Sequence, residues 1–341
     1  MRNSNIFPRH TNYEIPISSH GEGCYIFDIN GKKYLDGSCG AAVSCLGHSD
    51  STIKEAIIKQ TEKLAFAHTS FFTSEPAEEL ASILSHNSPK GLNKVYFVSS
   101  GSEAVEASLK LAKQYFNEIG KPKKHKVISR RQSYHGNTLG ALAAGGNVWR
   151  RSFFEDLLID TSLISPCYQY RHQSPNESSL DYGIRVANEL EKEIIKLGPE
   201  NVMAFIAETV VGATAGALTP VEGYFKRIRE ICDEYGVLLI LDEVMCGMGR
   251  TGSLFACDDE EIVPDIITIA KGLGAGYQPI GAMLCQDFIY DAIANGTGFF
   301  QHGHTYLGHP VACAGSLAVI NKLINENFPT QVKGKGEIRS E

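Results

Sequence analysis

Val237-Leu-Leu-Ile-Leu-Asp242-Glu243 and Ile266-Ile-Thr-Ile-Ala270-Lys271-Gly272 are the two stretches that decide the fold. Each opens with an apolar, partly β-branched run and closes on charge. Runs of this length read as strands buried on both faces, as in a parallel sheet covered by helices. Ligands of such sheets bind outside the carboxyl ends of the strands. An acid and a lysine, Asp242 and Lys271, therefore stand at the edge where a ligand would lie. A cofactor that needs an amine at one end and a carboxylate at the other would suit that edge.

The rest of the chain is consistent with this frame. Lys94-Val-Tyr-Phe-Val98, Lys126-Val-Ile-Ser129, Met203-Ala-Phe-Ile-Ala207 and Ile280-Gly-Ala-Met-Leu-Cys285 read as further strands. Helical periodicity covers about 51–64, a segment after Ser74, 101–117, 179–197, 222–235, 287–294 and 310–325, with Ser51 and Ser74 as expected caps. Alternating strands and helices predict an α/β fold with a mainly parallel sheet. Residues 1–24 read as irregular. Tyr25–Asp36 reads as a hairpin with a type I′ turn at Asn30-Gly31. Residues 145–176 carry too many turn formers and aromatics to assign.

Composition narrows the function classes. At 341 residues, the chain can bury a large core. A net charge of −7 with no long basic run argues against nucleic acid as the main partner. No stretch approaches the roughly 20 apolar residues of a membrane span. The nine cysteines are scattered, without a C-x-x-C pair, and a reducing, cytoplasmic setting is the expectation.

Ser100-Gly101-Ser102 lies between a strand and a helix, where free amides attract an anion; an ordinary helix cap has the same appearance. Tyr134-His135 follows a strand, and the aromatic can stack on a flat ring or simply close the strand. Asp242 can hold a pyridine nitrogen protonated or serve as a solvated cap. Lys271 can form an imine with an aldehyde; a surface lysine is the alternative, although one following a buried run and preceding three glycines is unusual. Gly247-x-Gly249-x-x-Gly252 matches a dinucleotide fingerprint but reads better as a loop around Arg250. His302, His304 and His309 lack carboxylates or thiols at ligand spacing and read as a loop near a site.

In order along the chain, Ser99-Ser-Gly-Ser-Glu-Ala104, Tyr134-His-Gly136, Glu208, Leu241-Asp-Glu-Val244, Gly249-Arg-Thr-Gly252, Ala270-Lys-Gly272 and Thr305-Tyr-Leu-Gly-His-Pro310 together resemble the class III (omega-type) aminotransferases. These are fold-type I enzymes dependent on pyridoxal 5′-phosphate. The resemblance implies a mainly parallel seven-stranded sheet with helices on both faces, plus part of a small domain. It implies an N-terminal segment at 1–50, a cofactor-binding domain at 51–310, and a linking helix with the start of a further domain at 311–341. Lys271 would carry the cofactor covalently and move the substrate proton, and Asp242 would pair with the ring nitrogen. Val244 and Tyr134 would enclose the ring; Ser100, Gly101 and Ser102 would hold the phosphate. His135 and Glu208 would lie beside them. Thr305 would be lent to the other subunit of a homodimer.

The implied reaction is ping-pong transfer from an ω-amino acid, amine or diamine to a keto acid. An aminomutase, racemase or decarboxylase on the same fold is the alternative, as is a cofactor-binding chain without turnover. Relatives in this family continue for roughly 100 residues more, a domain-sized segment. The expectation is therefore a chain lacking most of the small domain, with an exposed apolar face on its N-terminal hairpin.

Overall fold

A computed structural model describes residues 4–340. Three short strands come first: β1 (Ser18–Glu22), β2 (Tyr25–Asp28) and β3 (Lys33–Leu35), paired antiparallel in that order. Seven more follow: β4 (Lys94–Val98), β5 (Lys126–Arg130), β6 (Thr161–Ile164), β7 (Val202–Glu208), β8 (Leu238–Asp242), β9 (Ile266–Ile269) and β10 (Gly281–Cys285). They form one sheet in the order β4-β10-β9-β8-β7-β5-β6. β10 runs antiparallel to both of its neighbours; the other pairs are parallel. The expected mainly parallel, seven-stranded α/β sheet is what the chain forms.

Alternation along β8 shows why both faces are apolar. Leu239 and Leu241 pack into one core with the helices Ser179–Leu197, Tyr224–Tyr235 and Pro310–Asn325. Leu238 and Ile240 pack into the opposite core, against the helices Gly101–Glu118 and Asp287–Asn295. Side chains on a strand alternate faces with period two, so a strand covered on both sides needs an unbroken apolar run. Val237–Leu241 is such a run.

Three local expectations are corrected. The hairpin turn is not type I′. Of Asn30 and Gly31, Gly31 alone takes a positive φ (79°). The Asp28 carboxylate instead accepts the amides of Asn30 and Lys32, while Gly31 N donates to Asp28 O. That is a three-residue loop with a left-handed glycine at its end. Residues 18–22 are not irregular: β1 pairs with β2, and the His20 ring stacks on Phe27 at 4.5 Å. Cross-strand pairing rather than local propensity makes this strand. The first long helix is capped by Asp50, whose carboxylate accepts the Ile53 amide, and not by Ser51.

Within 145–176, β6 adds a parallel edge strand beside β5. The hairpin leaves Ile29 and Leu35 exposed, although the Lys33 ammonium covers the Tyr25 ring at 3.7 Å. A helix at Phe328–Ser340 extends over the glycine loop, with Pro329 near Gly249. Among the described residues, no helix is long and apolar enough to cross a membrane.

Candidate active site

The same alternation sorts the two carboxylates at the end of β8. Asp242 continues the face of Leu238 and Ile240, the face of the helix Gly101–Glu118. Glu243 continues the face of Leu239 and Leu241. Register then aligns Glu208 on β7 beside Asp242, and Asp242 beside Thr268 on β9. Ala204 and Ile206 share the Asp242-side core, so Glu208 lies on that face too. Three polar side chains thus form a row across the carboxyl edge, opposite the helix N-terminus that begins at Ser100.

Glu208 and Asp242 line a cavity of about 310 Å³. Ser100, Gly101, Ser102, Tyr134, His135, Glu208, Asp242, Val244 and Lys271 all contribute to its wall. Thr305 does not: it lies on an exposed loop outside the cavity. The volume is at the small end of the range for small-molecule sites.

At one end is the helix N-terminus. The Ser100 hydroxyl accepts the Glu103 amide, and Glu103 in turn accepts the Ser99 amide. This reciprocal cap leaves the Gly101 and Ser102 amides without intrahelical acceptors, at the positive end of an 18-residue helix. Ser102 Oγ accepts the Asn137 amide at 3.1 Å, which leaves its own O–H free to donate. Gly101 must be small: a Cβ there would stand 2.6 Å from Val244 Cγ1. Gly136 has φ +127° and would meet Ser102 Oγ at 2.6 Å, so the Tyr134 loop can close on the helix only with glycine there. The arrangement is an anion cradle.

At the other end is Asp242, nearly fully buried. His135 Nδ1 meets Asp242 Oδ2 at 2.8 Å, the Val244 amide donates to Oδ1 at 3.0 Å, and the Thr268 hydroxyl donates to Oδ1 at 3.4 Å. Three donors fix the carboxylate's position and orientation. Glu208 receives the Tyr134 amide at 3.3 Å. Burial raises the Glu208 pKa above its ordinary range. The negative charge of Asp242 adds to the rise, while His135 and Arg130 oppose it.

Lys271 closes the cavity. It takes a left-handed backbone, φ 45°, at the first position of a tight turn that Leu273 N and Gly274 N fasten to Ala270 O and Lys271 O. Its Nζ donates to Ala41 O at 2.8 Å. Burial lowers its pKa and nearby Arg250 lowers it further, against the attraction of Asp242. A strained non-glycine backbone persists only where its surroundings enforce it, and such residues cluster at functional sites. An amine of lowered pKa beside a fixed carboxylate is equipped, once deprotonated, to attack a carbonyl carbon.

Several contributors gave no clear signal in the sequence. Glu243 is fully buried and accepts the Ala256 and Cys257 amides and the Thr209 hydroxyl, which pins the turn at 255–257 under the sheet. Burial pushes its pKa up to about 7. Arg130, buried on the opposite face of β5, donates to Glu208 O at 2.5 Å; an arginine ending an apolar strand was the available clue. Gln278 and Val43 line the cavity from loops with no distinguishing pattern.

Residues 7–341 match the family model described as Aminotransferase class-III. An aminotransferase of Gibberella zeae is 45% identical over 90% of this chain, which spans 61% of that protein. Gamma aminobutyrate transaminase 2 of Solanum lycopersicum is 43% identical over 94% of this chain and is spanned to 70% of its length. The omega transaminase from Pseudomonas jessenii in complex with PMP superimposes with a TM-score of 0.90 at 34% identity, covering 95% of this chain and 74% of that one. This chain therefore spans about three-fifths to three-quarters of the length of these relatives.

Proposed function

The chain belongs to the class III aminotransferase family, with the fold-type I architecture of its transaminase neighbours, and from that premise we propose that the carboxyl-edge cavity binds pyridoxal 5′-phosphate and transfers an amino group from an ω-amino acid, amine or diamine to a keto acid. The observation that carries this reading is the convergence of three unlike groups in one cavity of about 310 Å³: an anion cradle, a buried carboxylate and an amine of lowered pKa. They match, one for one, the phosphate, the ring nitrogen and the aldehyde of that cofactor. When bound, the cofactor supplies the electron sink that amino-acid side chains lack.

The chain's own residues supply position, charge and proton movement. The Gly101 and Ser102 amides and the Ser102 hydroxyl bind the phosphate, assisted by the helix dipole. The Asp242 carboxylate, held by His135, Val244 N and Thr268, keeps a proton on the ring nitrogen. Val244 and Tyr134, both in the cavity wall, would enclose the ring. Lys271 Nζ, released from Ala41 O, would carry the substrate proton, taking it from the carbon that bears nitrogen and giving it up again within the cavity. Glu208 holds the Tyr134 amide and so the loop that closes the cradle.

Thr305 completes the phosphate site of a second copy in a homodimer on this reading. Its loop carries exposed Tyr306, and exposed Phe71 and Phe72 lie near Leu307, an apolar surface of the kind that subunit interfaces cover. All nine thiols are unpaired, which fits a reducing, cytoplasmic compartment. Gamma-aminobutyrate transaminases among the relatives support an ω-amino acid as donor. The test is a panel of ω-amino acids, amines and diamines with pyruvate, assayed with and without added pyridoxal 5′-phosphate. Amine consumption that requires both keto acid and cofactor supports transamination; amine consumption without keto acid points to another reaction type, and none at all refutes turnover by this chain.

A further inference from the structure

Tyr134 forms one wall of the cavity. Its amide is tied to Glu208 at 3.3 Å, which fixes the backbone and leaves the half-buried side chain free to turn. No hydrogen bond of the Tyr134 hydroxyl is present among the described residues. Its ring lies against Arg150, whose guanidinium carbon is 4.6 Å from the ring centroid.

Arg150 is itself placed with care. Its amide donates to the Asn147 carboxamide at 3.2 Å, which caps the short helix Val148–Arg151. The guanidinium also lies 5.5 Å from the ring of Trp149. Among the described residues it makes no ion pair, whereas the adjacent Arg151 is spent on the carbonyls of Leu142, Ala143 and Gly145. A planar cation within about 6 Å of an aromatic face is attracted by the ring's quadrupole, and arginine does this better than lysine because it stacks. With no acid competing for it, stacking on Tyr134 is the dominant interaction of this guanidinium.

We infer that Arg150 is a positioning residue: stacked on Tyr134, it holds that ring as the cavity wall against which the flat cofactor rests. This rests on the reading of the cavity as a pyridoxal phosphate site. The residue acts through Tyr134 and touches no reacting atom. Its loss frees the ring to rotate, so the cavity keeps its anchors at phosphate and ring nitrogen but loses a defined wall between them.

Trp149 makes the test direct, because it is the chain's one tryptophan and is 76% exposed. Purified wild type, Arg150→Met and Arg150→Lys are each titrated with pyridoxal 5′-phosphate. Affinity is read from Trp149 quenching and from absorbance at about 400–430 nm, and ring ordering from the circular dichroism induced in that band. Arg150→Met is expected to bind about three- to ten-fold more weakly, from the usual strength of a cation–π pair, with a reduced induced signal per bound cofactor. Arg150→Lys recovers part of both. Arg150→Met with wild-type affinity and induced signal overturns the inference, as does Arg150→Lys no better than Arg150→Met. Wild type that takes up no cofactor refutes the cofactor reading itself, and this inference with it.

Discussion

Gly101→Ala puts the smallest possible perturbation, one methyl group, at the point where the phosphate cradle meets the ring wall. The new Cβ would stand 2.6 Å from Val244 Cγ1, 3.0 Å from Cγ2 and 3.4 Å from its Cβ. Ordinary contact needs a separation near 3.6 Å, so something must move by about 1 Å. Val244 cannot easily rotate away, because a β-branched side chain has few χ1 choices and its amide is bound to Asp242 Oδ1. The displacement therefore falls on the Val244 side chain, into the cavity, or on the helix terminus, out of the cradle. Overpacking costs about 1–3 kcal/mol. Replacing glycine by alanine near a helix start returns about 0.5–1 kcal/mol, so net destabilisation stays below roughly 2.5 kcal/mol and the variant folds. Cofactor affinity falls as well, with an expected loss of at least about ten-fold, or ~1.4 kcal/mol.

Thermal melts and pyridoxal 5′-phosphate titrations of Gly101→Ala, Val244→Ala and the double variant close a double-mutant cycle. Relief of the clash predicts a double variant that binds better than Gly101→Ala alone. Gly101→Ala binding as tightly as wild type would refute the placement of the ligand between these residues.

Three further outcomes follow from the site's electrostatics. Because Lys271 is held below its ordinary value of 10.5, it binds fewer protons folded than unfolded; the rate of cofactor uptake should rise with pH and reach half its limit below 10.5, as stopped-flow absorbance would show. Asp242→Asn removes the attraction that opposes this shift, so the midpoint should move lower still, and any amine half-reaction should slow by about a hundred-fold or more for want of the charge facing the ring nitrogen. Glu243 sits at about 7, above its ordinary 4.5; its contribution to stability is present below pH 4.5 and is lost as pH rises through 7, so urea midpoints should fall across that window and flatten in Glu243→Gln.

How much of this could be read in the sequence depended on whether a residue's role was local. Asp242, Lys271 and Ser100–Ser102 were legible because each stands where an apolar strand stops, and the ends of parallel strands converge on one edge. The division of labour between Asp242 and Glu243 follows from strand alternation, but it needs the faces identified, which only packing shows. β1 was illegible because Ser18–Glu22 becomes a strand through pairing with β2 and not through its own propensity. The turn at Asn30-Gly31 misled because the Asp28 carboxylate outside the dipeptide selects the loop type. Arg130, Gln278 and Arg150 reach the site across the fold, and sequence periodicity carries no information about such contacts.

The central claim is that one ligand engages the Lys271 amine, the Asp242 carboxylate and the Ser100–Ser102 cradle at once. Its most direct test is addition of pyridoxal 5′-phosphate to purified wild type and Lys271→Ala, followed by borohydride reduction and peptide mass mapping. An absorbance band at about 400–430 nm is expected in wild type and absent in Lys271→Ala, together with a reduced phosphopyridoxyl adduct on Lys271. No band in wild type, or an adduct confined to other lysines, would contradict it.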